Sequence, residues 1–340
     1  MTHLETHIDK LLNNGSVQNI AVRIGKNNQI LCDLYRSANN TVNENTLFDI
    51  ASVTKILATT SLALIALDRR ILSLDDTVAK FFPCDAEKEK LTIFNLLTHT
   101  IGIGYKVLFK DENTYDTIAD SILSIPCDIP ISSDVLYSCP AFILLGKILE
   151  KVFEKPFHML FEELVCKPLN LGRTCFCPQE KINIVNSNLD PAMLGQVNDH
   201  NCRFLGGIAG NAGVFSNITD MTAFAKCLLS KGYPIISEKT FENAVLNHTP
   251  QMSAARGLGY LYVDERYAQT GMLFPVGSIG HCGHTGQSIF VDLRSGLYVI
   301  ILSDATASTV KKYGKEQYGE VMQMRADIHN AIKQDLKDIL

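Results

Sequence analysis

No uninterrupted apolar segment in this sequence approaches the roughly 20 residues that a membrane-spanning helix needs. The longest apolar run, residues 56–67, is interrupted by Thr59, Thr60 and Ser61. Positive charge is not in excess either, because the formal net charge is −5 over 340 residues and no basic stripe stands out. We therefore expect neither a membrane nor a nucleic acid as partner, and a small molecule instead.

The sequence also lacks a C-x-x-C pair, and it opens without the cationic head and apolar core of a secretory signal. Its ten cysteines are scattered without a repeating spacing, so free reduced thiols are the expected state. These features predict a cytoplasmic protein, unless the sequence is a processed mature form. They leave the oligomeric state open.

Strand signals lie at both ends of the chain. Residues 18–36 alternate apolar and polar side chains around Gly-Lys-Asn-Asn at 25–28, which predicts a β-hairpin. Further strand patterns follow late in the sequence, at 259–263, 279–282, 288–293 and 297–303. We therefore expect a mainly antiparallel sheet that is built from the N- and C-terminal segments.

Helical periodicity dominates the middle of the chain. The helix predicted over 53–69 is the most hydrophobic one, and a terminal amphipathic helix is predicted over 315–340. A long structured loop is expected at 177–213, where Pro, Gly and Asn are frequent. The other predicted helices are 93–98, 115–124, 140–153, 157–166 and 219–229.

Together these patterns predict an α+β fold in which helices flank the sheet and a mostly helical domain is inserted. We expect one catalytic domain over 1–340, with an α/β lobe (about 1–75 and 250–340) and a helical lobe (about 76–249). A cleft between two such lobes is a common place for a catalytic site.

The first candidate for chemistry is Ser52-x-x-Lys55, which opens the hydrophobic helix. Residues three apart share a helix face, so the lysine amine can reach the serine hydroxyl. Burial is expected to lower the pKa of the lysine and make it a base. The alternative is a serine that caps the helix beside a surface lysine. A second match, Ser308-x-x-Lys311, precedes a charged stretch and is a weaker candidate.

The segment FDIASVTK at 48–55 resembles the nucleophile segment of the class C β-lactamase and low-molecular-weight penicillin-binding protein family. Three more segments resemble that family in the same order along the chain. They are LSLDD at 72–76, LTIFNLLTHTIG at 91–102 and LGGIAGNAGVFS at 205–216. The resemblance implies a serine hydrolase of the esterase-like or peptidase-like branch, with Ser52 as nucleophile and Lys55 as its partner.

Tyr137 begins Tyr-Ser-Cys at the place of that family's Tyr-x-Asn. The resemblance implies that Tyr137 is a general base, and a nearby ammonium group is expected to lower its pKa. A tyrosine that merely packs at a helix start is the alternative. Cys139 stands where the family usually has Asn or Asp, a side chain that helps to hold the substrate's amide, so the resemblance gives less reason to expect recognition of β-lactams and acylated peptides. Its thiol is expected to be neutral, with a reactive thiolate as the alternative.

The family's third motif, Lys-Thr-Gly or His-Thr-Gly, has two candidate registers here. His284-Thr285-Gly286 matches literally, but counting back from the following strand favours His281-Cys282-Gly283. In the favoured register the backbone N–H of His284 joins that of Ser52 as an oxyanion donor.

Two competing interpretations of this sequence, a metal site and a phosphate loop, are less favoured, and His99 is assigned no catalytic role. A metal site on His281, Cys282 and His284 is not expected, because positions three apart on a strand point to opposite faces. The glycines at 206–213 lack the Lys-Ser or Lys-Thr of a phosphate loop and are expected to pack closely beside the cleft. His99 is expected to be structural, satisfying carbonyls at a helix end.

The sequence therefore predicts a hydrolase that needs no metal or organic cofactor and forms an acyl-enzyme on Ser52. A small ester, or an amide or peptide that contains a D-amino acid, is the expected substrate. Three alternatives stay open. These are a β-lactamase or D-Ala-D-Ala carboxypeptidase, a catalytically weak binding or regulatory protein on the same scaffold, and a thiol-dependent enzyme that uses Cys139 or Cys282.

Overall fold

The computed structural model describes residues 2–39, 41–106 and 114–337. Its strands are β1 (Asn19–Lys26), β2 (Gln29–Ser37), β3 (Phe48–Asp49), β4 (Cys175–Phe176), β5 (Val214–Ser216), β6 (Leu261–Tyr262), β7 (Ile279–Cys282), β8 (Ser288–Val291) and β9 (Leu297–Ser303). Six of them form an antiparallel sheet in the order β2-β1-β9-β8-β7-β6. A small sheet has the order β3-β5-β4. The predicted α+β class, with an antiparallel sheet from both chain ends, is confirmed.

The α-helices of the described residues are α1 (Thr2–Asn13), α2 (Ser61–Asp68), α3 (Ile93–Thr98), α4 (Ile118–Leu123), α5 (Cys139–Phe153), α6 (Phe157–Phe161), α7 (Lys167–Leu169), α8 (His200–Phe204), α9 (Ile218–Leu229), α10 (Glu238–Ala244), α11 (Ala305–Tyr313) and α12 (Tyr318–Asp335). A π-helical segment, Glu162–Cys166, connects α6 to α7. The sequence patterns missed α1, α7, α8, α10 and α11.

The helix predicted over 53–69 is not uniformly α-helical. A 3₁₀ turn over Ala51–Val53 leads into a π-helical segment over Lys55–Thr60, and α2 follows. The Ser61 hydroxyl donates to the Ile56 carbonyl, five residues earlier, at 3.1 Å. Short π-helical segments often accompany functional sites, and this one begins at the predicted catalytic lysine.

One loop prediction and one helix prediction also need correction. The loop predicted over 177–213 contains α8 and a 3₁₀ turn over Pro191–Met193. Capping aspartates explain both, because Asp199 accepts from Cys202 N at 2.8 Å and Asp190 accepts from Ala192 N at 2.9 Å. The terminal helix α12 starts after Gly314, which ends α11 with φ 73°. The last three residues of the predicted range, 338–340, lie outside the described residues.

Buried apolar side chains form two cores. The smaller core lies between the six-stranded sheet and helices α1 and α12, as with Val22, Ile301 and Ile328. The larger core contains the helix that follows Ser52 together with α5, as with Leu57 and Phe142. The proposed lobe boundary stays a prediction, but this packing joins residues 53–68 to the helical elements.

One helix of the described chain is long and apolar enough to cross a bilayer by length and composition. It runs over Ala51–Asp68 with a mean hydropathy of 1.4, and 89% of it is buried inside the protein. A buried core helix passes the same test, so the expectation that no membrane is involved stays a prediction.

The glycines at 206–213 pack closely against α5. A Cβ atom on Gly210 would lie 2.0 Å from the Phe142 carbonyl oxygen and 3.3 Å from the Gly146 Cα. The Gly210 carbonyl accepts from the Thr59 hydroxyl at 2.5 Å. Gly210 thereby brings α5 and the π-helical segment together.

We expect Gly210→Ala to lower the free energy of unfolding by about 1–3 kcal/mol, because the added methyl group overpacks this contact. Chemical denaturation of the purified protein measures the change. Gly172→Ala is the matched control, since a Cβ at Gly172 meets nothing within 4 Å. Equal stability of the two variants would contradict the packing argument.

Candidate active site

Ser52 lies at a sharp turn between β3 and the 3₁₀ turn. The preceding residue, Ala51, has φ 46°, a left-handed conformation that is costly for a residue with a Cβ atom. The Ala51 N–H donates to the Asp49 carboxylate at 2.8 Å. The strained turn therefore places Ser52 at the wall of a cavity that is described below. The hydrogen bond from Ala51 to Asp49 offsets part of the strain.

Asp49 connects this turn to two other segments. Its carboxylate accepts from the backbone N–H of Asn198 at 2.7 Å, and its carbonyl accepts from Thr285 Oγ1 at 3.1 Å and Gln287 Nε2 at 2.8 Å. The side chain is fully buried, and burial raises the pKa of Asp49 to about 6. The sequence reasoning missed this residue, although it stands three positions before Ser52.

The Ser52 hydroxyl has two side-chain partners. Lys55 Nζ lies 3.0 Å from Ser52 Oγ, and the Tyr137 hydroxyl donates to Ser52 Oγ at 2.8 Å. The structure thus brings together the three residues that the sequence predicts as catalytic, from two distant parts of the chain. Nucleophile and proton carriers within hydrogen-bond distance are the arrangement that acyl transfer requires.

Lys55 is fully buried and has two further partners. Its ammonium group donates to the Asn211 carbonyl at 2.9 Å and lies 3.5 Å from Cys139 Sγ. It also lies 5.1 Å from the ring centre of Tyr137 and 5.7 Å from that of Phe142, where cation–π attraction is favourable. Asn211, which the sequence reasoning did not select, comes from the glycine-rich segment.

The protonation states differ from the sequence expectation. Burial lowers the pKa of Lys55, but the charged forms of Cys139 and Tyr137 oppose it and the pKa lies above the ordinary lysine value. Burial raises the pKa of Tyr137 to about 12, outweighing the opposing effect of Lys55. The expected lowering of both pKa values is therefore wrong. At rest the site holds an ammonium group and a neutral phenol.

His99 positions the tyrosine segment. Its Nδ1 accepts from the backbone N–H of Ser138 at 3.1 Å, and its ring centre lies 4.8 Å from that of Tyr137. Ser138 in turn caps α5 by accepting from Ala141 N at 3.2 Å. Burial holds the pKa of His99 well below its usual range, so it stays neutral. The expectation that His99 satisfies carbonyl groups is wrong, because it accepts from a backbone N–H.

The favoured third motif, residues 281–283, lies at the end of β7 beside the nucleophile turn. A Cβ atom on Gly283 would meet the Ile50 carbonyl at 2.7 Å, so only glycine allows this approach. His281, Cys282 and His284 all line the cavity that contains Ser52. The oxyanion role of the His284 backbone N–H stays a prediction.

The literally matching motif, residues 284–286, has Thr285 and Gly286 packed against other parts of the protein. Thr285 is fully buried and bonds the Asp49 carbonyl. A Cβ atom on Gly286 would lie 2.2 Å from Ser303 Oγ, on the inner strand β9. These contacts favour 281–283 as the cavity-lining motif.

The two histidines of this region have different surroundings. His281 is buried, and burial together with Lys55 and Arg256 holds its pKa well below the usual range. Its Nδ1 lies 2.8 Å from the Cys282 carbonyl, while Nε2 has no partner in the described part of the chain. His284 is half-exposed and lies 3.3 Å from Glu316. Within residues 2–39, 41–106 and 114–337, no three His, Cys, Asp or Glu side chains are grouped to hold a metal ion.

All ten cysteines are unpaired. Cys139 is buried, and burial raises its pKa, so the thiol is neutral. Cys282 Sγ lies 3.3 Å from the Tyr267 hydroxyl. The neutral Cys139 thiol disfavours a thiolate nucleophile there.

The second Ser-x-x-Lys match lies away from this cavity. Ser308 is buried within α11 and donates to Asp304 at 3.0 Å, while Lys311 is exposed. The Ser308 hydroxyl therefore forms a structural hydrogen bond with an aspartate, and it is not paired with a lysine as Ser52 is.

Ser52 and Tyr137 line a cavity of about 600 Å³ between the six-stranded sheet and the helical elements, and Lys55 is fully buried. Much of the cavity wall consists of aromatic and charged side chains that the sequence analysis did not select. None of them belongs to a family motif quoted above. These missed residues are Tyr105, Asp199, Arg256, Tyr267, Glu316 and Tyr318.

A family model described as Beta-lactamase matches residues 4–321. The chain belongs to the beta-lactamase family. The resemblance inferred from the sequence motifs is thereby confirmed, and so is a hydrolase function. Membership alone does not separate esterases from peptidases.

Individual relatives agree with this assignment to the beta-lactamase family. A protein of Salmonella enteritidis named as a D-alanyl-D-alanine carboxypeptidase is 26% identical over 311 residues, which cover 78% of this chain and 71% of the relative. The beta-lactamase/D-alanine carboxypeptidase of Pseudomonas syringae superposes with a TM-score of 0.77 at 16% identity, covering 97% of this chain and 98% of the other. EstCE1, a hydrolase with promiscuous acyltransferase activity, gives 0.76 at 19% identity, covering 97% of both chains. The two structures show a shared fold.

Because the carboxyl group of Asp49 is buried, we expect the free energy of unfolding of the wild type, relative to that of Asp49→Asn, to depend on pH. Because its pKa is raised to about 6, the folded protein binds an extra proton between about pH 4 and about pH 6, and its free energy of unfolding falls as the pH rises through that window. The stability of the wild type relative to Asp49→Asn should fall by about 3 kcal/mol over this range.

Urea denaturation at pH values across this window measures the difference, with circular dichroism as the control that both proteins start folded. A difference that does not change with pH would contradict a raised pKa at Asp49.

Proposed function

We propose that this beta-lactamase family member forms an acyl-enzyme on Ser52 and hydrolyses a small ester, or an amide or peptide that contains a D-amino acid. The observation that carries the proposal is the position of Ser52 Oγ, 3.0 Å from Lys55 Nζ and 2.8 Å from the Tyr137 hydroxyl. No metal or organic cofactor takes part in the proposed chemistry.

The proposed reaction has two steps. Ser52 Oγ attacks the substrate carbonyl carbon, and its proton passes to the Lys55–Tyr137 pair once that pair has lost a proton. The bond to the leaving group breaks, and the pair returns the proton to the leaving group. A water molecule then attacks the acyl carbon and gives a proton to the same pair. The bond between the acyl carbon and Ser52 Oγ breaks, the pair passes the proton to Ser52 Oγ, and the acid product departs.

The backbone N–H groups of Ser52 and His284 are proposed as oxyanion donors. His281, Cys282, Gly283 and Cys139 are proposed to contact the substrate. Cys139 offers a weak thiol where the sequence resemblance implies an amide-binding asparagine, which favours esters over β-lactams.

The names of the relatives support a second candidate within the same chemistry. The Salmonella relative is named as a D-alanyl-D-alanine carboxypeptidase, so a carboxypeptidase or β-lactamase activity is the alternative. A catalytically weak binding protein is less favoured, because the hydrogen bonds of Ser52 to Lys55 and Tyr137 are intact. A cytoplasmic location stays a prediction.

Intact-protein mass spectrometry after mixing with benzylpenicillin, and separately with p-nitrophenyl acetate, tests the acyl-enzyme. We expect a covalent adduct on the wild type with at least the acetate ester, because its acyl group is small and activated. Ser52→Ala should abolish the adduct, since it removes the nucleophile. The lifetime of each adduct separates esterase, β-lactamase and penicillin-binding behaviour.

Ser308→Ala is the matched control and should keep the adduct, because Ser308 bonds Asp304 outside the cavity. An adduct that survives in Ser52→Ala would point to a cysteine. An unlabelled wild type with both reagents would contradict the hydrolase proposal and favour the binding-protein alternative.

A further inference from the structure

Arg325 is a buried cation behind the segment that is predicted to hold the substrate's oxyanion. It lies on α12 and is fully buried. Its Nη1 donates to the side-chain oxygen of Gln269 at 2.7 Å, and its Nη2 donates to the Gly283 carbonyl. Because no part of Arg325 is open to solvent, the substrate cannot contact it, and any effect on the reaction passes through these two contacts.

The charge of Arg325 has no carboxylate partner. In the part of the chain that the structure describes, no Asp or Glu side chain forms an ion pair with it, and its Nε is buried without a hydrogen-bond partner. The ring centre of Tyr318, 5.9 Å from Cζ, offsets part of the cost of burial. A neutral donor could hold the same two oxygen atoms at a lower cost, so packing alone does not account for the charge.

The Gly283 carbonyl belongs to the same peptide unit as the N–H of His284, which is proposed above as an oxyanion donor. This peptide bond is trans, and in a trans unit the C=O and N–H groups point in opposite directions. A cation on the carbonyl therefore leaves the N–H pointing away from α12. Among the described residues the His284 N–H has no backbone acceptor, so it is available to a substrate.

The turn that carries this peptide unit is fixed by further contacts of Gly283. Its N–H donates to the Gln287 carbonyl at 2.8 Å, and its carbonyl also accepts from the Gly286 N–H at 3.1 Å. A Cβ atom on Gly283 would lie 2.7 Å from the Ile50 carbonyl. The peptide unit is thus held in one orientation beside the nucleophile turn.

We infer that Arg325 is a positioning residue for the oxyanion. Its guanidinium group holds the carbonyl of the 283–284 peptide unit, so the His284 N–H keeps its direction towards the cavity. The charge also polarises the unit, because hydrogen bonds in series strengthen one another in a low-dielectric interior. A polarised N–H is a stronger donor to a developing negative charge. The inference rests on the proposed acyl-transfer function and adds the residue that strengthens its second oxyanion donor.

The kinetics of a neutral ester, p-nitrophenyl acetate, test the inference. Acylation and deacylation both pass through an oxyanion, so Arg325→Met should lower kcat and kcat/KM together by about 10- to 100-fold, with KM within about twofold of the wild-type value. Arg325→Lys keeps the charge and should lose less. A raised KM with an unchanged kcat would overturn the inference.

Ile332→Ala is the matched control for a loosened helix α12. Ile332 is fully buried in the smaller core, seven residues beyond Arg325 on the same helix. Its truncation weakens the packing of α12 but leaves Arg325 in place, so kcat should stay near the wild-type value. Circular dichroism sets a temperature at which all variants are folded. An equal fall of kcat in Ile332→Ala and Arg325→Met would show a general structural role and overturn the inference.

The amide signal of His284 gives a readout that does not need turnover. The chain has nine histidines, so labelling with α-¹⁵N-histidine gives few amide signals in an NMR spectrum, and His284→Gln identifies the one of His284. A cation on the Gly283 carbonyl withdraws electrons from the same peptide unit. Arg325→Met should therefore move the ¹⁵N signal of His284 to lower frequency, and Ile332→Ala should leave it in place.

An unmoved His284 signal in Arg325→Met would overturn the inference whatever the kinetics show. If Arg325→Met does not fold, Arg325→Lys decides by the same two measurements. We then expect a smaller fall of kcat and a smaller shift in the same direction, and no change in either would overturn the inference. If the wild type does not hydrolyse the ester, the proposed function fails instead, and the His284 signal still decides whether Arg325 polarises this peptide unit.

Discussion

The hydroxyl group of Ser52 lies between a buried ammonium group and a phenol, and the rest of the site depends on keeping it there. Lys55 reaches it from the next turn of the same helix, whereas Tyr137 reaches it from the start of α5. Asp49 holds the left-handed Ala51 that aims the hydroxyl inward. The full burial of Lys55 makes water a poor substitute for these contacts.

The six-stranded sheet and the helical elements meet at this point. The end of β7 and the turn after it supply residues 281–284, and the start of α5 and the residues just before it supply Cys139 and Tyr137. Helix α12 fixes the sheet side, because the fully buried Arg325 donates to the Gly283 carbonyl and to Gln269 Oε1. The terminal helix therefore positions the segment that is predicted to hold the substrate's oxyanion.

Much of this arrangement could be predicted from the sequence. Periodicity gave the hairpin, the late strands and α5, and ordered motifs selected Ser52, Lys55 and Tyr137. The π-helical segment was not predictable, because it depends on contacts with a segment far away in the sequence, such as the hydrogen bond from Thr59 to the Gly210 carbonyl, 151 residues later. Asp49 and Arg325 were missed for a similar reason. A charged residue in the sequence reveals neither its burial nor the groups that it contacts.

The central claim is that Ser52 becomes a nucleophile only when the Lys55–Tyr137 pair has lost a proton. The dependence of kcat/KM on pH tests it most directly. Because burial raises the pKa of Tyr137 to about 12, kcat/KM of the wild type for a neutral ester should keep rising between about pH 7 and about pH 10. Tyr137→Phe should reduce kcat/KM and change this dependence. A plateau already reached at neutral pH, retained in Tyr137→Phe, would contradict the account.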